Sequence, residues 1–571
     1  MPNYDSLRKM PYNLDDAGVA WVKDTIASMT KEEKIGQIFC LIAYGNSTAE
    51  LDVVANKYHA GALMGRPMPI DDVCEMVAHL QTKSKIPMLI AANFEGGGDG
   101  LLNEGTNIGP HIQVAATNDA EMAGKQGMVC AKEGVASGAN WAFAPIIDLQ
   151  LNHLNPIIPT RAFGSDPKFV AACGAAYTKA AQQEGMAVSI KHFPGDGVDG
   201  RDQHLVTTIN TLSCDEWDKT FGAVYQESIN AGALTLMAGH ISLPAYSKQL
   251  RPGIKDENIL PATLAPELLN DLLRGKLGFN GMIVSDATSM AGMCIPMPRD
   301  KAVPQCIAAG CDMFLFAKNL DEDFAYMTKG VDDGVITPDR LDEAVMRILG
   351  VKAALKLPEK KANGTLIPDK EAAKKIVGCA AHKAVELECA DRGVTLVKNL
   401  DNIVPLDVNS YKRVLLYPIN MGVSGFFGGP LDISAMMKES LEKEGFEVDV
   451  FEPPKGLEGM LTPFCEIPSK YDLLIYACNL ETKSNQTTVR IEWAMPMGAN
   501  VPIYIATVPT IFISFANPYH LQDVPRVRTF INAYRLKQTN VDAVMDKLLG
   551  RSEFKGVSPV DAFCGMWDTR L

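Results

Sequence analysis

Nowhere in the sequence do about 18 apolar residues run together, so no segment reads as a membrane span. CxxC pairs are also missing. The thirteen cysteines are an odd, scattered set, several inside apolar runs (Cys40, Cys173, Cys478). That disfavours disulfide staples and zinc ribbons, and buried reduced thiols are expected instead. The opening "MPNYDSLRKMPYNLDDAG" lacks the basic-then-apolar pattern of a secretory leader, which sets the expectation of a cytoplasmic protein. Basic residues are in deficit, 54 Lys and Arg against 68 Asp and Glu, and the net charge of −14 argues against nucleic acid or an anionic membrane as partner. Aromatics reach only 7% and form no evident stacking platform, and there is no internal repeat or low-complexity tract. The glycine-rich "GVSGFFGGP" (422–430) lacks the Lys-Ser/Thr ending of a phosphate loop and matches no dinucleotide fingerprint, so a tight turn is expected there.

What is present is long and patterned. A chain of 571 residues exceeds one hydrophobic core, so two or three domains are expected. Eight short apolar or β-branched runs recur at 36–43, 61–65, 87–93, 140–146, 187–193, 234–240, 281–287 and 313–317, separated by amphipathic stretches. This predicts an α/β protein that opens with a (β/α)8 TIM-like barrel, although a doubly wound sheet alternates in the same way. A charged segment with Pro and Gly then reads as a linker. A second strand-helix series follows, with strands expected at "RVLLYPI", "EVDVFEP", "YDLLIYACN", "VPIYIAT", "TIFISFAN" and "RTFINAY". The expected division is therefore a barrel over 1–357, a linker over 358–380 and an α/β/α sandwich over 381–571.

Polar residues collect where the apolar runs stop: Asn93, Glu95, Asp148, Lys191, His192, His240 and Asp286. In barrels that end carries the active site. Asp286, in "MIVSDATSM", is either a rim carboxylate that caps a turn or a nucleophile facing the mouth. The loop "KHFPGDGVDGRDQHL" (191–205) holds a D-x-H pair, Asp202 and His204, in which a carboxylate can fix an imidazole's tautomer and favour its protonated form. That is a proton-donor design, or else a surface Asp-His contact. Lys191 and Arg161 offer cationic donors to sugar-like oxygens. His192, Asp196, Asp202, His204 and His240 could also serve a metal, but there is neither an early-strand H-x-H nor a helical HExxH, so no metal is expected. Asp196 and Asp199 are expected only to form turns.

Taken together, "KHFPGDG...DQH", "TRAFGSDP", "NWAFAPIIDL", "LMAGHISLPA" and "PATLAPELLNDLLRGKLGFNGMIVSDATSM" resemble glycoside hydrolase family 3, most of all its β-N-acetylhexosaminidase branch. The likeness covers most of residues 20–355, and "DRGVTLVKNLDNIVPL" resembles the family's entry into its second domain. It implies removal of a terminal β-linked N-acetylhexosamine by retaining double displacement, without cofactor. In that reading Asp286 is the nucleophile and His204, partnered by Asp202, is the acid/base. Lys191, His192, Arg161, Asn93, Glu95, Asp148, His240 and Met290 form the sugar-binding set. The partner implied is a carbohydrate, with a homodimer as the candidate assembly. Departures are clear: the family's "DQEGGR" stands here as "NFEGGG", with Asn93 and Gly98 in place of Asp and Arg, and Leu101 where a second Arg belongs. These lost charges bear on the sugar's hydroxyl pattern and on any anionic aglycone. A His acid/base also admits phosphate as acceptor more easily than a second carboxylate would, so phosphorolysis is the alternative activity. A sugar-binding protein without turnover is the other class.

Overall fold

The computed structural model describes residues 2–420, 431–454, 461–485, 487–493 and 495–571. The glycine-rich stretch 422–430 lies outside them. Each of the eight predicted runs of the first part contains a strand: β1 (Phe39–Ile42), β2 (Ala62–Met64), β3 (Leu89–Ala92), β4 (Trp141–Ala142), β5 (Ala187–Phe193), β6 (Thr235–Ala238), β7 (Met282–Ser285) and β8 (Phe314–Leu315). Their order is β8-β1-β2-β3-β4-β5-β6-β7, all parallel. The ring closes where Val284 bridges Met313, with the Met313 N–H on the Ile283 carbonyl and the Ser285 N–H on the Met313 carbonyl. A parallel ring must be buried on both faces, which is why β2, β3 and β5 to β7 are buried throughout.

The intervening helices carry their own start signals. Asp166 accepts the Lys168 N–H ahead of the helix Pro167–Gln183, whose proline sits at its start, and Gly185 follows its end at φ 86°. The far end of the ring is locked by Asp312, just before β8. Fully buried, it accepts from the Ile283 N–H at 2.9 Å and from Arg274 and Arg340 at 2.7 Å each. Burial opposes its ionisation, yet Arg274, Arg340 and Arg347 outweigh that and hold its carboxyl below the usual range.

The chain forms two compact units. The first comprises Met1–Asn107, Ala120–Asn152 and Asp166–Lys383; the second comprises Ile108–Asp119, His153–Ser165 and Ala384–Leu571. This differs from the sequence division in two respects. Residues 108–119 and 153–165 group with the second unit, because Ile112 and Ala116 share a small core with Tyr519, Tyr534 and Val560, and Ser165 N–H bonds the Pro559 carbonyl. Residues 358–380 are not a bare linker. They include most of the helix Leu357–Ala362 and all of Lys370–Ile376, and two of their charges are pinned to the helix Ile70–Lys83. Lys370 pairs with Glu75 at 2.6 Å and Lys374 with Asp71 at 2.8 Å.

In the second unit β9 (Thr395–Asn399), β10 (Arg413–Asn420), β11 (Glu447–Val450), β12 (Leu473–Asn479), β13 (Thr510–Ser514) and β14 (Thr529–Asn532) form a sheet of order β9-β14-β13-β12-β10-β11. Only β9 is antiparallel. One face packs under the helices Ile433–Lys443 and Gln538–Leu548, and the other holds Tyr417, Tyr476, Phe512 and Phe530. "VPIYIAT" (501–507) is a turn, not the expected strand. Two residues separate it from the run that becomes β13, far too few for the crossover between parallel neighbours.

Candidate active site

Five strand ends of the first unit supply the polar residues expected at the rim. Asp286 directly follows β7 and is 8% exposed. Its Oδ1 accepts the Ala287 N–H at 2.7 Å, and Oδ2 has no hydrogen-bond partner among the described residues. Burial again works against ionisation, but His192, His240, His204 and the Ala287 N–H together hold the Asp286 carboxyl below its ordinary value. Three imidazoles, from the end of β5 and the loops after β5 and β6, thus bear on one carboxylate.

Each imidazole is held differently. His204 donates Nδ1–H to Asp202 Oδ1 at 2.6 Å, and the same oxygen takes the His204 backbone N–H at 2.8 Å. The Asp202 carboxylate is fully buried, whereas the His204 side chain is 27% exposed. With Nδ1 committed to an anion, proton exchange is confined to Nε2. His192 is clamped in the same way: Nδ1 bonds Asp148 Oδ2 at 2.7 Å, while Asp148 Oδ1 takes the backbone N–H groups of His192 at 3.1 Å and Asp196 at 2.8 Å. Asp148 is thus fully buried behind His192 and spends its oxygens there. His240 is wholly buried; Nε2–H donates to the Ala287 carbonyl at 3.0 Å and Nδ1 accepts from Thr263 Oγ1 at 2.9 Å. Burial pushes His240 below the ordinary imidazole range, against the Asp286 charge and the Ala287 carbonyl. Both its nitrogens are used, so it buttresses the Asp286 loop.

Lys191, the residue before His192 across a cis peptide, ion-pairs with Glu95 at 2.8 Å, joining β5 to the loop after β3. Asn93 opens that loop and is half-buried. Met290 is buried and donates its N–H to the Ala287 carbonyl. Arg161 lies apart from this group in the division of the chain: its segment, 153–165, belongs to the second unit, where Thr160 bonds Thr482 at 2.9 Å.

The departure at 98 sits where a side chain would collide, and the one at 101 sits in the core. A Cβ on Gly98 would stand 2.0 Å from Glu133 Oε2, and Leu101 is fully buried. Glu133, in the helix Ala120–Ala136, is itself buried and accepts from Thr106 N–H, Thr106 Oγ1, Gly378 N–H and His382 Nδ1. Sequence reasoning passed over this residue, whose only signal was an acid beside Lys132 in an otherwise small and apolar run. It also passed over Gln203, which accepts the His240 N–H at 2.9 Å and donates to Asp196 Oδ2 at 3.3 Å. Gly292 was missed too: its absent Cβ leaves room for the Gln203 carbonyl at 2.6 Å and the Val206 carbonyl at 2.9 Å. Asp199 closes a turn through Arg201 N–H and also accepts Ile209 N–H, whereas Asp196 accepts the Gly197 N–H and reaches across the loop to Gln203 Nε2. Among the described residues no cluster of three or more His, Cys, Asp or Glu could hold a metal ion.

This arrangement suits acyl-free group transfer at a carbon centre: an ionised nucleophile, a carboxylate-oriented imidazole, and a lysine-carboxylate pair to grip hydroxyls. Residues 30–351 match the profile of the glycosyl hydrolase family 3 N-terminal domain. A Cellulomonas fimi protein named β-N-acetylglucosaminidase/β-glucosidase is 49% identical over 571 residues, 99% of this chain and all of that one. The solved structure of β-glucoside phosphorylase BglX is 43% identical, spans 99% of this chain and 100% of its own, and superposes with a TM-score of 0.93. A family 3 β-N-acetylglucosaminidase from Paenibacillus sp. str. FPU-7, 22% identical with a TM-score of 0.76, shares the fold over 94% of this chain.

Proposed function

The chain belongs to glycosyl hydrolase family 3, and from that premise we propose that it releases a terminal β-linked N-acetylglucosamine or glucose by double displacement at Asp286. The observation that carries this reading is a buried carboxylate at the end of β7, Asp286, on the same rim as an imidazole, His204, that the Asp202 carboxylate holds by Nδ1 at 2.6 Å. Asp286 attacks the anomeric carbon as the glycosidic C–O bond breaks, and His204 Nε2–H gives its proton to the departing oxygen. In the second step His204 takes a proton from water, whose oxygen displaces Asp286. Configuration is retained because the carbon is inverted twice. Lys191, Glu95, His192 and Asn93 bind the sugar, and Asp148 orients His192.

A second reading is favoured by one finding, the 43% identity to a β-glucoside phosphorylase over 99% of this chain. Phosphate then replaces water in the second step. An imidazole beside the acceptor does not repel it as a second carboxylate would. Incubating the enzyme with nitrophenyl β-N-acetylglucosaminide and β-glucoside, with and without phosphate, decides between them. Free sugar at a rate independent of phosphate supports hydrolysis. Sugar 1-phosphate, formed at a rate that climbs with phosphate, supports the second reading, and no release from either glycoside refutes both.

A further inference from the structure

The loop bearing His204 and the loop following Asp286 are stitched together. The Ala291 N–H bonds the His204 carbonyl at 3.1 Å, and Thr207 Oγ1 bonds the Gly292 carbonyl at 2.7 Å. Of the exposed side chains in 202–207 and 287–298, all but Ser289 are apolar. Leu205 is 36% exposed and Ile295 is 62% exposed, with Pro296 and Pro298 exposed as well. The whole stretch "MAGMCIPMP" (290–298) contains no acidic or basic residue, and in 202–207 the only ones are Asp202 and His204. The two flanking arginines are spent elsewhere. Arg201 forks onto Asp199, and Arg299 onto Asp323 and the Thr288 carbonyl. Nor does the loop after β3 add a cation, since position 98 has no room for a side chain and Leu101 is buried. An uncompensated apolar lip next to a proton donor loses free energy in water and regains it when an apolar group covers it.

We propose that Leu205 and Ile295 form the subsite for the leaving group, and that the aglycone is an apolar aryl or alkyl group, not a charged one. This rests on His204 being the proton donor, because the group nearest its Nε2 is then the aglycone. The two apolar side chains, with the half-buried Met297 two residues after Ile295, suit aglycones of varied shape.

The test uses methyl, n-hexyl and 5-carboxypentyl β-glycosides of whichever sugar is cleaved from its nitrophenyl glycoside. The three alcohols have similar acidity, so differences report contact with the aglycone and not bond strength. The hexyl glycoside is expected to exceed the methyl glycoside in kcat/KM by at least about tenfold, given what five methylenes gain on burial, and the carboxypentyl glycoside to fall back toward methyl. In Ile295→Ser, and separately in Leu205→Ser, the hexyl-to-methyl ratio should drop at least threefold. Because both substrates are measured on one preparation, a partly folded variant leaves the ratio interpretable. Equal efficiency of hexyl and methyl in the unaltered enzyme, or an unchanged ratio in both variants, overturns the proposal alone. No turnover of any glycoside overturns the glycosidase reading and this proposal with it.

Discussion

Asp202 accepts the Nδ1 proton of His204 at 2.6 Å, and that contact decides where the imidazole exchanges protons. An asparagine there keeps the shape but removes the carboxylate that holds the Nδ1 proton. In Asp202→Asn, kcat/KM for an alkyl glycoside should fall by roughly 10²–10⁴, the usual worth of general acid catalysis. A nitrophenyl glycoside, whose phenolate leaves without help, should lose much less. Steady-state rates on the two substrates check this. Equal losses on both would make Asp202 a merely structural residue. His192 follows the same logic one step back from the chemistry: its partner Asp148 has no exposure and bonds three donors, so it acts by holding the ring.

Among the elements, the docking of the 202–207 loop against 290–292 matters most. Gly292 permits it, since any Cβ would meet two carbonyls of that loop and the His240 Cβ at 3.0 Å. Gly292→Ala should therefore push His204 away from Asp286 and lower kcat by about 10–100-fold, as small displacements of a catalytic group do. It should also cost about 1–3 kcal/mol of stability from overpacking. Urea unfolding and kinetics on one preparation measure both, and unchanged values would show that the loop docks otherwise. This docking was not legible in the sequence, whereas the strands were. Apolar runs bounded by polar residues mark a buried parallel ring at each of its eight positions, and the residues ending those runs gave most of the rim. Gln203 and Gly292 escaped because their roles are contacts across loops distant in sequence. The strand read into 501–507 failed because local apolar content does not say which run wins a slot in the sheet. The segment around Arg161 reads as part of the barrel by position, but its packing partners, such as Thr482, lie over 300 residues later.

At the scale of the molecule, two units with separate cores share one chain, and no helix among the described residues is long and apolar enough to cross a membrane. The first unit carries a burden unrelated to catalysis. Lys352, in its closing helix Pro338–Ala354, is fully buried with Gln37 Oε1 at 2.7 Å, and burial pushes its amine down to about 7. An unfolded lysine holds its proton to pH ~10.4. The native state therefore binds fewer protons between those values, so the penalty is full below about pH 7 and fades as pH rises toward 10. Lys352→Met should raise Tm by a few degrees at pH 6 and by progressively less up to pH 10, followed by thermal unfolding across that range; a gain independent of pH would contradict it. The central claim is that Asp286 forms a covalent glycosyl-enzyme, and it is tested most directly by trapping. Incubation with an activated 2-deoxy-2-fluoro-β-glucoside, followed by peptide mass spectrometry, should find one fluorosugar on the peptide containing Asp286 and none in Asp286→Ala. An adduct on another residue, or rapid turnover of the nitrophenyl glycoside by Asp286→Ala, would contradict the account.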